Sequence, residues 1–110
     1  MNLPNADHAY LDIRKLTEYI LDPTDPRGRH KARVFRSSLC ITVADAEVLR
    51  SIILAAVIDA ECQPGEEDIY GQRYMVDCKI EFGGRRAVVR TGWIVKTSED
   101  FPRFTTCFVL

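Results

Sequence analysis

The chain has 110 residues, 46% of them hydrophobic and 28% charged, with a net charge of −1. A chain this long can bury a core without metals or disulfides, so these totals suit one soluble domain over residues 1–110. They exclude a dedicated, wholly basic nucleic-acid binder, although a local basic face remains open. The longest apolar run, Ile52 to Ile58, is too short to span a bilayer. The first eight residues lack the apolar stretch of a signal peptide, so the cytoplasm is the expected location and no membrane partner is expected. Cys40, Cys62, Cys78 and Cys107 form no CxxC pair and read as buried, reduced thiols. His8 and His30 are far from them in sequence, so no metal site is expected. There is no P-loop, GxGxxG, GxSxG or HExxH, and no cofactor is expected.

In chain order, residues 1–11 read as an irregular arm. Asp12 is a good N-cap, and Ile13, Leu16, Tyr19 and Ile20 then mark a short amphipathic helix over 13–21. Asp22-Pro23 and Asp25-Pro26 end it, because the residue before proline avoids helical dihedrals. After Gly28, a short helix over 29–37 carries Ala32, Phe35 and Leu39 on one stripe and cations on the other. Thr42 and Asp45 form a weak capping box. Ala46, Leu49, Ile53, Ala56 and Val57 predict a second main helix to about Ala60, closed by Pro64-Gly65. Glu61, Glu66, Glu67 and Asp68 read as an acidic linker. The period then changes to two: Tyr74, Val76, Cys78, Ile80 and Phe82 alternate with polar residues, which predicts a half-buried strand. Gly83-Gly84 is a hairpin signal. A return strand over 86–96, a loop, and a last strand over 104–109 complete an antiparallel meander of three to four strands. Helices followed by strands predict an α+β fold with the helices packed on the sheet.

The densest charge lies between Asp25 and Arg36, which holds five of the fifteen Lys and Arg residues. No acid occurs between Asp25 and Asp45. Arg29, Lys31, Arg33 and Arg36 would neutralise phosphates, with helix-initial amides near Gly28 adding an anion site. The alternative is a solvated cationic face whose alkyl stems cover a sheet edge. His30 sits among these cations, which suits either a general base or a surface position. Tyr70 would act as an acid or a stacking platform, or simply pack, and nearby Arg73 adds a cation for substrate. Alternation places Arg90 opposite Trp93, so Arg90 faces outward if Trp93 faces the helices. There it is either a phosphate clamp or the partner of Asp77 or Glu81.

Leu3-Pro4-Asn5-Ala6-Asp7, Lys15 to Leu21, Pro26 to Phe35, Tyr70-Gly71 and Trp93-Ile94 occur in an order that resembles a small bacterial family without assigned function. The pattern is also similar to C-terminal domains of polymorphic secreted toxins, in which Lys31, Ala32, Phe35, Tyr70, Gly71 and Trp93 match. Asp25 departs from it, standing where those toxins usually carry histidine. The resemblance implies a toxin-like domain, possessing nuclease activity or belonging to a toxin–antitoxin pair with a small cognate protein. The layout is similar to the barnase, colicin and RelE group of metal-independent ribonucleases, by fold-level analogy. On that analogy His30, Lys31, Tyr70 and Arg90 would be catalytic, and Arg29, Arg33, Arg36 and Arg73 would hold RNA. The competing reading is a non-catalytic interaction module, an antitoxin or immunity partner, using the same basic face.

Overall fold

A computed structural model describes all 110 residues. The chain is an α+β fold: helices first, then a four-stranded antiparallel sheet in the order β1-β2-β3-β4. The strands are β1 (Cys62–Asp68), β2 (Gly71–Phe82), β3 (Arg85–Lys96) and β4 (Pro102–Val109). Two α-helices, α1 (Arg29–Leu39) and α2 (Ala46–Asp59), cover one face. No helix is long and apolar enough to cross a membrane.

Local chemistry accounts for the helix boundaries. Asp12 caps the first helical segment, its Oδ1 accepting the Arg14 amide at 3.0 Å. That segment is tighter at its start than at its end. Leu16–Ile20 is a π-helical turn, closed by the Leu21 amide on the Leu16 carbonyl at 2.8 Å. Asp45 accepts the Thr42 amide at 3.0 Å, so the expected box forms ahead of α2. At the end of α1, Cys40 adopts φ 56° and its amide bonds the Arg36 carbonyl at 3.0 Å. This left-handed cap explains why Cys40 is exposed, contrary to expectation, while Cys62, Cys78 and Cys107 are buried.

Alternation along β2 and β3 sets the two faces of the sheet. Val76, Cys78 and Ile80 of β2 and Val89, Thr91 and Trp93 of β3 point to the helices. Gly83 and Gly84 both take positive φ, as a two-residue hairpin turn requires. Trp93 packs edge-on against Phe104 with centroids 5.4 Å apart. Its indole N–H donates to Thr91 Oγ1 at 2.8 Å, and the Thr91 hydroxyl donates to the Val76 carbonyl at 2.8 Å. Burying Trp93 and Thr91 therefore leaves neither side chain unpartnered.

Two expectations need correction. The acidic linker is strand β1, and Pro64-Gly65 lies inside it rather than ending α2. Pairing runs Pro64 to Tyr74 and then Glu67 to Gln72, with a bulge between. Pro64 is tolerated because β1 is an edge strand, and its acids face water there. The N-terminal arm is also ordered into the fold. The Cys62 amide bonds the Met1 carbonyl at 2.7 Å, and Asn2 bridges Glu61 beside β1. Tyr10 bridges Arg103 on β4, through the Tyr10 amide to Pro102 at 2.9 Å and the Phe104 amide to Tyr10 at 2.8 Å. Leu3, Ala6 and Leu11 are buried between these anchors. The arm thus links the two edges of the sheet, roughly 14 Å apart at strand spacing.

Thr91→Val should cost about 1–3 kcal/mol in urea unfolding, because it strands the Trp93 indole N–H. The Asp12 carboxyl is pulled down to about 2, first by its hydrogen bonds from the Arg14 side chain and amide. A carboxyl depressed in the folded state contributes stability above its unfolded value of about 3.9, and that contribution fades as pH falls toward 2. Asp12→Asn should therefore flatten the fall in thermal midpoint across that acid window, measured by circular dichroism.

Candidate functional site

Helix α1 organises the cations of the Asp25–Arg36 segment, and its start is built by two contacts. Asp25 Oδ2 accepts the amides of Arg27 at 3.0 Å and Gly28 at 2.8 Å, while its carbonyl accepts the Arg29 amide at 2.8 Å. These three amides, of Arg27, Gly28 and Arg29, are therefore taken by Asp25. Asp25 thus closes the turn that leads into α1, whose N-cap is Gly28. The second contact is at Gly28. A Cβ there would lie 1.7 Å from the Tyr19 carbonyl oxygen, so only glycine admits this approach.

From that start, the side chains of α1 divide between two flanks. Arg29, Arg33 and Arg36 recur at helical spacing on one flank, a row about 10 Å long. Together with His30 they form one side of a cleft of about 670 Å³. Leu21, Ala32, Ile41 and Val43 give this cleft an aliphatic floor and lip. None of the three arginines has a carboxylate within ion-pairing distance. By contrast, Arg14, Arg27, Arg50, Arg73, Arg86, Arg90 and Arg103 all do. His30 Nδ1 lies 2.8 Å from Arg33 Nη2. A guanidinium can only donate, so Nδ1 accepts and the ring proton sits on Nε2.

Lys31 and Arg27 lie on the other flank, over the ring of Tyr19 at 5.3 Å and 5.1 Å from its centroid. The Tyr19 hydroxyl is 3.3 Å from Thr106 Oγ1 on β4. Burial pushes the phenol up, but the hydrogen bond with Thr106 and the charges of Lys31 and Arg27 outweigh it. Tyr19 is left below the ordinary tyrosine value. Tyr19 carried no functional reading from sequence, where it served only as an apolar position of a helix. The signal available was its place in the stretch Lys15 to Leu21, just ahead of the basic segment.

The remaining expected residues are elsewhere. Arg90 points away from the helices and forms a bidentate pair with Asp77 at 2.8 Å and 3.0 Å. The cross-strand salt bridge is thus the arrangement present, as the Asp77–Arg90 register requires. The Arg90 guanidinium holds the Asp77 carboxyl below its usual range. Tyr70 is 65% exposed, in the turn between β1 and β2, so it does not pack as a core residue. Arg73 in the same region is held by Asp68 at 2.6 Å. Tyr19 meets Thr106, which pairs with Gly92, and Gly92 pairs with Met75. Tyr70 lies five residues beyond Met75, on the order of 16 Å along the strand direction and two strands across. His30 therefore shares the cleft with the arginine row, Lys31 lies on the other flank of α1 over Tyr19, and Tyr70 and Arg90 join neither. No three His, Cys, Asp or Glu side chains converge as a metal site would need.

A four-stranded meander roofed by two helices, with an unpaired arginine row on the first of them, defines a two-layer α+β domain with a basic cleft. The chain belongs to the family described as domain of unknown function DUF6883, which matches residues 2–110. No curated protein and no solved structure matches it.

Gly28→Ala should force α1 away from Tyr19. Overpacking of this kind costs about 1–3 kcal/mol or more, so the thermal midpoint should fall by on the order of 10 °C. Differential scanning calorimetry would read this directly.

Proposed function

We propose that this domain acts on RNA in the cytoplasm as a toxin-like module, holding the phosphate backbone in the α1 cleft. The observation that carries the reading is the row of Arg29, Arg33 and Arg36, aligned on one flank and free of acidic partners. Guanidinium forks match phosphate oxygens in pairs, and their charge is not already spent on carboxylates of the same chain. The row spans about 10 Å, enough for successive phosphates of a single strand. The order of helices and meander, and the match of Lys31, Ala32 and Phe35 to toxin domains, support the same reading by analogy.

A second reading rests on a separate observation, the aliphatic floor of Leu21, Ala32, Ile41 and Val43. Val43 is 44% exposed at its lip. An acidic segment of a small cognate protein, with aliphatic side chains between its carboxylates, would use both the floor and the arginines. On this reading the same cleft binds an antitoxin or immunity partner.

Fluorescence anisotropy with a short labelled single-stranded RNA separates the two. Wild-type protein should bind with strong salt dependence. Replacing Arg29, Arg33 and Arg36 together by Gln should reduce the slope of log affinity against log salt by about 2, the value for three lost phosphate contacts on a single strand. An unchanged affinity and slope would rule out the arginine row as the RNA site. Absence of RNA binding by the wild type, alongside salt-sensitive binding of an acidic aliphatic peptide, would favour the partner reading.

A further inference from the structure

We infer that Tyr19 is the proton-transfer group of an RNA-cleaving centre, with Lys31 and Arg27 beside it and Thr106 orienting its hydroxyl. The inference rests on the RNA-directed reading above and assigns that reading a reaction and a catalytic residue.

Three geometric observations converge on Tyr19. Its hydroxyl meets Thr106 Oγ1 at 3.3 Å, so the phenol oxygen is directed at β4 and fixed there. Two cations flank its ring, and Lys31 has no carboxylate within ion-pairing distance. Arg27 approaches Asp25 only at 3.8 Å and remains 78% exposed. Tyr19 also lines an open groove of about 470 Å³, together with Lys15, Glu18, Arg27 and Thr105. A core tyrosine would have neither the groove nor the cations.

The charge around the phenol favours its ionised form. Lys31 and Arg27 face it from α1 and the residues just before it. Lys15 and Glu18, of opposite charge, line the same groove. The Asp12–Arg14 pair at the rim is satisfied internally, with oxygen and nitrogen 2.7 Å apart. From β4 only the hydroxyls of Thr105 and Thr106 approach, so no acid opposes Tyr19 on that side. The phenol's lowered value agrees with this arrangement.

The arginine cleft is lined by the first turn of α1, and the groove by Arg27 just before that turn. An RNA strand held by Arg29, Arg33 and Arg36 needs to cross only that turn, about 10 Å wide with its side chains, to reach Tyr19. The reaction that fits is attack of a ribose 2′-hydroxyl on the adjacent phosphate. Tyr19, as phenolate, takes the 2′-hydroxyl proton as the O2′–P bond forms and the P–O5′ bond breaks. Water protonates the departing O5′, and the hydroxide so formed recovers the proton from Tyr19. One proton has moved from O2′ to O5′, leaving a 2′,3′-cyclic phosphate and a 5′-hydroxyl end. Lys31 and Arg27 stabilise the charge that builds on the phosphorane.

The test uses the full chain with a short labelled RNA and the same oligonucleotide made with 2′-deoxyribose. Wild type should cleave the first, leave the second intact, and yield cyclic phosphate ends. Its rate should rise with pH until Tyr19 is ionised. Tyr19→Phe should bind RNA as wild type does but cleave about 100-fold more slowly or less, the usual worth of a positioned acid or base. Lys31→Gln keeps the phenol but removes a charge that favours phenolate, so the pH–rate limb should move to higher pH; Lys31→Arg should restore it. Wild type that binds RNA and leaves it uncut overturns the inference while sparing the binding reading. Cleavage by Tyr19→Phe at the wild-type rate, or a limb unmoved in Lys31→Gln, also overturns it. A wild type that binds no RNA removes the RNA-directed reading and the inference with it.

Discussion

The approach of Gly28 to the Tyr19 carbonyl sets the geometry of the whole basic region. With no Cβ in the way, the chain after the Asp25 turn lies directly on the preceding turn, and this sets where α1 starts. Its apolar stripe, Ala32, Phe35 and Leu39, then meets the sheet. The cations have no choice but to divide, with Lys31 toward Tyr19 and Arg29, Arg33 and Arg36 toward the cleft. A displacement of this start by one residue would rotate every side chain of α1 by about 100° and dissolve both groups.

Elsewhere seven of the arginines are held by carboxylates. The outer face of the sheet carries Arg90 on Asp77, and the hairpin carries Arg86 on Glu81. Near β4, Arg103 is bidentate to Glu99 and sits between the rings of Tyr10 and Phe101. Exposed pairs of this kind contribute little to stability, but they silence the local field. In a protein of net charge −1, α1 thus gathers four cations without a carboxylate partner, Arg29, Lys31, Arg33 and Arg36, whereas the others, Lys15, Lys79, Arg85 and Lys96, are scattered over the rest of the chain. This reconciles an acidic composition with a basic face.

Much of this was legible in the sequence wherever one rule acted alone. Period-two alternation from Tyr74 to Phe82 and the Gly83-Gly84 turn located β2 and β3, and put Arg90 on the face opposite Trp93. Asp12, and Thr42 with Asp45, marked helix starts because capping is local chemistry. The misreadings have tertiary causes. Cys62–Asp68 has the composition of a linker, and only pairing with β2 makes it a strand. The arm looked irregular because its partners, Cys62 and Arg103, are far away in sequence. Among the site residues, the arginine row followed from helical spacing. Arg90 and Tyr70 were grouped with it by residue type, whereas strand register alone decides where they lie. Tyr19 escaped because its chemistry comes from Lys31, Arg27 and Thr106, and the last of these is brought over by the fold.

The arm that joins the two edges of the sheet also bears on how the protein is made. Tyr10 exchanges backbone hydrogen bonds with Pro102 and Phe104, residues from the opposite end of the chain. During synthesis the Tyr10 end of the arm therefore cannot make these bonds until β4 has been made, whereas its Met1 end needs only Cys62. The arginine flank of the basic helix finds its neighbours Leu21, Ile41 and Val43 close by in sequence, whereas Tyr19 meets Thr106 only after β4 is in place.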